Sequence, residues 1–303
     1  MRPQHLMAVK AMASITGGKM KGDEPGSMHL FFEPGQIKAG SYSFDVGTAG
    51  STSLVLQTMI PALLFGKGVS RVVITGGTHV PWSPCFHYLR EVFAPAVAGM
   101  GNVLTLDIER WGWYPKGGGQ IKAGISPISR LRSTERAQRG ELKEIRLLSA
   151  VSNLSMSIGE RQKDQLIKRF HSHGFKTPRV EVVNAPSQGT GTLVFLMCSF
   201  EGGTAGFTSL GQKGKRAEEV ADDACSDLFQ FLASDAAVDE HLADQLILYM
   251  ALAKGRSSIF TERITTHLKT NIWVVEQFLP VRFRADEIKG SVSVKGVGFS
   301  PAQ

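Results

Sequence analysis

Apolar residues in this chain recur at helical spacing over one stretch and at strand spacing over the next, several times in succession. That rhythm restricts the fold to helices layered on sheets. Leu6 to Ile15 has helical spacing and stops at Gly17-Gly18; His29 to Phe32 and Ser41 to Asp45 then read as two strands joined by the turn near Pro34-Gly35. A second unit opens with a capping-type Ser51 or Thr52, runs through the apolar helix Leu54 to Phe65 and continues in the strand Arg71 to Thr75. A third passes from the helix Phe86 to Ala98 into strands at Val103 to Ile108 and Gln120 to Ile125. A last set predicts helices over about Asp239 to Ala253 and Leu268 to Phe278, with strands at Val281 to Ala285 and Gly290 to Lys295.

Between about Arg130 and Ala233 the texture changes. A polar, basic run from Arg130 to Arg136 precedes a strand at Ile145 to Val151, an amphipathic helix from Glu160 to His173, strand candidates around Val180, Val194 and Phe207, and a helix from Lys215 to Leu232. The fold class expected is α/β (α+β), in two parts. Residues 130–233 form an inserted α/β domain, and residues 1–129 and 234–303 fold together as the larger domain of repeated units, the insertion breaking the chain but not the core.

The chain has 303 residues, of which 42% are hydrophobic and 20% charged, enough to bury a proper core. Lys and Arg number 34 against 27 Asp and Glu, a net +7, which favours an anionic partner such as a nucleotide or nucleic acid. Cys85, Cys198 and Cys225 are far apart and odd in number, giving neither a disulfide framework nor a Cys-x-x-Cys metal site. No apolar run reaches the roughly 18 residues of a membrane span, and the N-terminus has no long apolar core. A cytoplasmic protein without membrane attachment is expected.

Three glycine clusters invite a functional and a plain reading. Gly47 to Thr52 lies just before a helix, where its N–H groups could hold a phosphate, or it is a strand-to-helix turn capped by Ser51 or Thr52. Gly76-Gly77-Thr78 and Gly117-Gly118-Gly119 are turns or places where backbone approaches a ligand closely. None matches the P-loop or the Gly-x-Gly-x-x-Gly dinucleotide fingerprint, which disfavours a P-loop NTPase or a Rossmann dehydrogenase. His267, opening His267-Leu268-Lys269-Thr270-Asn271 downstream of Asp244, has the makings of a nucleophile. A neutral imidazole attacks phosphorus without a separate proton acceptor, provided a neighbour fixes its tautomer.

Together the runs Gly47 to Thr58, Gly76-Gly77-Thr78, Gly112-Trp113-Tyr114-Pro115-Lys116-Gly117-Gly118-Gly119, His241-Leu242-Ala243-Asp244-Gln245 and the His267 segment resemble the RNA 3'-terminal phosphate cyclases, in the same order and over almost the whole chain. The resemblance implies the cyclase and enolpyruvyl transferase fold: a large domain of repeated helix-plus-sheet units with a smaller inserted domain. It implies ATP as cosubstrate, Mg or Mn as the cation, and RNA with a 3'-terminal phosphate as partner. His267 would carry AMP covalently, and AMP would pass to the RNA 3'-phosphate before the adjacent 2'-hydroxyl closes a 2',3'-cyclic phosphate. His241, Leu242, Ala243, Asp244 and Gln245 would line the ATP site, with Asp244 orienting the imidazole or holding the metal. Gln57 matches a nucleotide-contacting glutamine, Gln4 another active-site position, and Pro84 and Tyr88 the positions that sandwich the adenine.

This sequence departs from the family in three places. Related enzymes begin with a further Gly-rich, arginine-bearing segment credited with metal and RNA-phosphate contacts, which implies core surface left open near Met1 and self-adenylation better supported than cyclisation. His87 and Tyr249 stand where the family has aspartate and proline. Two other functions therefore stay open: a non-catalytic RNA-binding or ribosome-assembly relative, against which His267 speaks, and a self-adenylating protein unable to cyclise. An enolpyruvyl transferase is disfavoured by the inserted domain and by the histidine.

Overall fold

In a computed structural model that describes residues 1–301, the chain is α/β, with helices laid on small sheets. Helix α1 (Pro3–Thr16) adjoins a two-stranded antiparallel sheet, β1 (Lys19–Lys21) and β2 (Phe31–Glu33). Pro3 suits the first helical turn, where its missing N–H costs nothing, and Gly17 ends the helix in the left-handed conformation. Met28, Leu30 and Phe31 are exposed here. Strand β3 (Ser41–Asp45) is not the hairpin partner of β2, as the turn at Pro34-Gly35 suggested. It runs parallel to β4 (Ser70–Gly76), Tyr42 opposite Val72, and helix α2 (Thr52–Leu63) makes the crossover that a parallel pair requires.

The chain then forms α3 (Phe86–Tyr88), a π-helical turn (Leu89–Phe93) and α4 (Ala94–Ala98), where the spacing predicts one uninterrupted helix. Strands β5 (Leu104–Arg110) and β6 (Gly119–Ile125) complete a sheet in the order β3-β4-β6-β5. After the two-residue β7 (Glu135–Arg136) come β8 (Leu142–Ser152), α5 (Met156–Ser172), β9 (Val180–Asn184), β10 (Gly191–Phe200), β11 (Gly203–Leu210) and α6 (Ala217–Ala233), with sheet order β11-β10-β8-β9. The chain ends in α7 (Glu240–Leu252), β12 (Lys254–Phe260), α8 (Thr266–Phe278), β13 (Arg284–Asp286) and β14 (Ser291–Val297), ordered β13-β14-β12-β7. Strand β12 escaped the sequence reading because Lys254-Gly255-Arg256-Ser257-Ser258 is polar and only Ser257 and Ile259 are buried.

Two cores result. The larger is built from α2, the α3–α4 segment and α7; Leu56, Met59, Ile60 and Leu63 of α2 are fully buried, each worth about 1.5–3 kcal/mol. Strand β10 joins both cores through its period of two: Leu193, Phe195 and Met197 face the larger one, and Val194, Leu196 and Cys198 face a second core closed by Leu166 and Phe170 of α5 and Leu228 and Phe231 of α6. Among the described residues no helix is long and apolar enough to cross a membrane.

Candidate active site

Helices α2, α7 and α8 meet along a line of polar side chains. Gln57 Nε2 on α2 donates to Gln245 Oε1 on α7 at 2.8 Å. The Asp244 carboxylate, next along α7, lies 2.9 Å from His267 Nδ1 on α8. Asn271 stands one helical turn beyond His267, on the same face, and donates to the Asp244 carbonyl at 3.3 Å. Thr265 caps α8 by accepting from Leu268 N at 3.1 Å, so His267 sits in the first turn, at the positive end of the helix dipole.

Accessibility divides the roles. The His267 side chain is 72% exposed and the Asp244 side chain 13%, so the imidazole projects outward while its partner is held by the protein. A carboxylate at Nδ1 places the ring proton there, and Nε2 is left with a lone pair pointing away from Asp244. Burial pushes the Asp244 carboxyl above its ordinary range, and the charges of His267 and His241 pull it back.

Gln4 belongs to the same neighbourhood, since its Oε1 accepts from Ser51 N at 3.0 Å at the start of α2. Of the α7 residues, His241 is exposed, whereas Leu242 and Ala243 are buried in the core and can offer a ligand no side-chain surface. Tyr88 is not an open aromatic wall either. It is 3% exposed, its hydroxyl donates to Asp239 Oδ1 at 2.6 Å, and its ring meets that of His241 edge-on at 6.4 Å. Pro84 is half-buried just before α3. Tyr249 is buried on α7, edge-on to Phe93.

The glycine loops are tied into the protein by their own backbone groups. Gly47 N donates to Asp45, Gly50 N to Thr48, Ser51 N to Gln4, Thr52 N to the Gly77 carbonyl and Leu54 N to Ser51. These N–H groups are used within the protein, and the turn is a capped strand-to-helix connection. The other clusters are places of close approach between backbones: a Cβ on Gly77 would collide with the Ala49 carbonyl oxygen, and one on Gly112 with that of Gly76. Packing of these loops against one another sets the position of the α2 N-terminus.

Sequence reasoning missed the cap of α7 and the ion pair beside it. Asp239 caps the helix, accepting from His241 N at 3.1 Å and Leu242 N at 2.9 Å, and Glu240 pairs with Arg263. An Asp just before Glu240-His241 was the available signal. Glu262 is raised to about 7 by burial and by the charges of Asp239 and Glu240, opposed by Arg263. Between its ordinary 4.5 and about 7 the folded chain therefore binds more protons here than the unfolded chain, and stability falls as pH rises through that window. Glu262→Gln is expected to raise the melting temperature at about pH 8, with the gain vanishing near pH 4.5. A shift of the same size at both pH values would refute that assignment.

Comparison with known proteins identifies the family. A family model described as RNA 3'-terminal phosphate cyclase matches residues 1–285. The RNA 3'-terminal phosphate cyclase of Pyrobaculum aerophilum is 40% identical over 304 aligned residues, covering 99% of this chain and 87% of the relative. Those of Pseudomonas fluorescens, 42% identical over 95% of this chain and 83% of the relative, and Salmonella agona, 41% over 96% and 83%, are similarly related. A match of this length and identity, together with the agreement in fold, leads to one conclusion: the chain belongs to the RNA 3'-terminal phosphate cyclase family.

Proposed function

We propose that this protein converts an RNA 3'-terminal phosphate to a 2',3'-cyclic phosphate at the expense of ATP, with His267 as the carrier of AMP. The observation that carries the reading is the exposed His267 ring, held by Asp244 through Nδ1 at the N-terminus of α8. Family membership supplies the substrate class. In the first step Nε2 forms a bond to the α-phosphorus of ATP as the bond to the pyrophosphate oxygen breaks, while Asp244 stabilises the positive charge that develops on the ring. An oxygen of the RNA 3'-phosphate then attacks the same phosphorus, the P–N bond breaks, and AMP is left in anhydride linkage at the RNA end. Attack by the 2'-hydroxyl on the RNA phosphorus closes the ring, releases AMP and gives up the hydroxyl proton.

Mg or Mn would neutralise the phosphates and the departing pyrophosphate. Among the described residues no three carboxylates lie close enough together to form a cage, and Asp244 is paired with His267. Such an ion would be carried chiefly by the nucleotide phosphates, the usual habit of Mg.

A basic sheet face supports a polyanionic partner. Arg256 on β12 lies directly opposite Lys295 on β14, and Arg284 on β13 lies opposite Ser293; with Arg282 they line a groove of about 390 Å³. Arg282 is paired with Glu276 at 3.3 Å, whereas among the described residues Arg256, Arg284 and Lys295 have no ion-pair partner. Like charges opposed across strands repel unless an anion intervenes. Arg256→Glu with Lys295→Glu should weaken RNA binding, lower the salt-dependence slope by about one for each phosphate no longer neutralised, and spare AMP labelling. A salt titration with an unchanged slope would remove this face from the RNA path.

The activity itself is tested with ATP labelled on the α-phosphate. The expected result is an acid-labile, base-stable protein adduct that disappears when RNA with a 3'-phosphate is added, with a 2',3'-cyclic end appearing on the RNA. An adduct that persists, without a cyclic product, would instead establish a self-adenylating protein, and no adduct at all would point to the non-catalytic relative.

A further inference from the structure

A second cluster of reactive side chains lies between the end of β4 and the start of α3. His79, Cys85 and His87 are all buried, and one donor atom from each lies within 4.8 Å of the other two. His79 Nε2 and His87 Nδ1 face each other at 2.9 Å. The other nitrogen of His79 is 2.8 Å from Thr78 Oγ1, which itself accepts from Gly112 N at 2.9 Å, and the His79 ring stacks on Trp111 at 3.9 Å between centroids. Cys85 caps α3 and receives Tyr88 N at 3.4 Å, with Thr208 Oγ1 at the same distance from its sulfur.

These details match what a metal needs from a protein. Both imidazoles and the thiol are buried with their donor atoms turned toward one another, and a neutral ring is the form that ligates. Thr78 orients His79 through the nitrogen facing away from His87, as the outer partner of a metal-bound histidine does. A tetrahedral ion with Zn–N bonds of about 2.05 Å separates its nitrogen ligands by about 3.3 Å, so the two rings need move apart by only a few tenths of an ångström. The nitrogen and sulfur donors suit a borderline ion and not Mg, which prefers oxygen. His87 also lines a groove of about 240 Å³ together with Arg90, Glu91, Arg146 and Glu181, the side from which a fourth ligand would enter.

We propose that His79, Cys85 and His87 form a three-ligand site for a divalent ion of the zinc class, completed by water from the adjoining groove. On binding, the Cys85 S–H bond breaks, its proton passes to solvent and an S–Zn bond forms. Each imidazole keeps one proton, His79 at Nδ1 toward Thr78 and His87 at Nε2. The ion ties the turn after β4 to the first turn of α3, so the intervening segment, with Pro84 and the 97% exposed Trp82, is held at both ends.

Cobalt(II) and zinc titrations of the full-length protein test it. Expected are one equivalent of Zn bound per chain, release of one proton, and, with cobalt, the intense visible bands of a tetrahedral ion plus a thiolate-to-cobalt charge-transfer band. Cys85→Ser keeps the helix cap. It should abolish the charge-transfer band and weaken zinc binding by more than the roughly 10- to 100-fold that outer partners cost, with circular dichroism unchanged. Cys225→Ser and His267→Ala should leave the band intact. The proposal fails if zinc does not bind stoichiometrically, if the band survives in Cys85→Ser, or if His267→Ala removes it.

Discussion

Replacing His267 with alanine should eliminate AMP labelling and leave the protein folded. The side chain is 72% exposed in the first turn of a helix whose cap, Thr265, is untouched, and alanine is the best helix former, so the fold loses little. What changes locally is Asp244, which loses the partner at 2.9 Å. Under the mechanism proposed above the chemical loss is complete, because the variant lacks the nitrogen that would bond to phosphorus. Asp244→Asn gives the informative intermediate. An asparagine that turns its amide toward Nδ1 imposes the wrong tautomer, and it cannot stabilise the positive ring, so labelling should slow by about 10²- to 10⁴-fold without a change in ATP affinity of similar size. Rapid-quench labelling beside thermal melts measures both. If the alanine variant labels as well as the parent, the nucleophile is elsewhere.

The second large effect is on stability. Asp239 is 1% exposed and accepts four hydrogen bonds: from the Tyr88 hydroxyl at 2.6 Å, from Leu242 N and His241 N at the start of α7, and from Gly206 N of β11 at 3.4 Å. One carboxylate thus joins α3, α7 and the β8–β11 sheet. Asp239→Ala removes a helix cap worth about 1 kcal/mol. It also leaves the buried Tyr88 hydroxyl without its acceptor, at about 1–3 kcal/mol. A total loss of about 3 kcal/mol is expected, a large share of the roughly 5–15 kcal/mol that holds a typical domain together. Asp239→Asn, which keeps a carbonyl acceptor for the cap, should cost about half as much. Urea unfolding of the three proteins decides the matter, and a loss under about 1 kcal/mol in the alanine variant would mean that Asp239 is not the junction described.

Much of this architecture is legible in the sequence. The helices at 54–65, 239–253 and 268–278 announce themselves through apolar spacing, the first behind its cap Ser51; the caps of the other two, Asp239 and Thr265, come from the structure. Strand pairing is less legible. His29 to Phe32 and Ser41 to Asp45 both look like strands beside a turn, yet the true partner of β2 is the short, lysine-rich β1, which has no hydrophobic pattern to reveal it. The same reason hid β12, whose buried members are a serine and an isoleucine. At the site, the residue types around His267 are readable as chemistry, but side-chain direction is not. Leu242, Ala243 and Tyr88 face the core because α7 turns its apolar stripe inward and because Asp239 holds the tyrosine hydroxyl. The glycine turns look like ligand loops because close approach of backbone to backbone and of backbone to phosphate make the same demand on the residue.

Strand β7, only Glu135 and Arg136, leads into the β8–β11 excursion, and its neighbour β12 begins at Lys254, after the chain has returned. The edge of the last sheet is therefore supplied from the far side of a long detour, and closing that detour has an entropic cost that local contacts cannot offset. A fragment confined to residues 234–303 would lack this border and would present the unsatisfied amides and carbonyls of β12 to any passing chain. Such an edge invites intermolecular pairing, so isolated C-terminal pieces of this protein should aggregate where the whole chain does not.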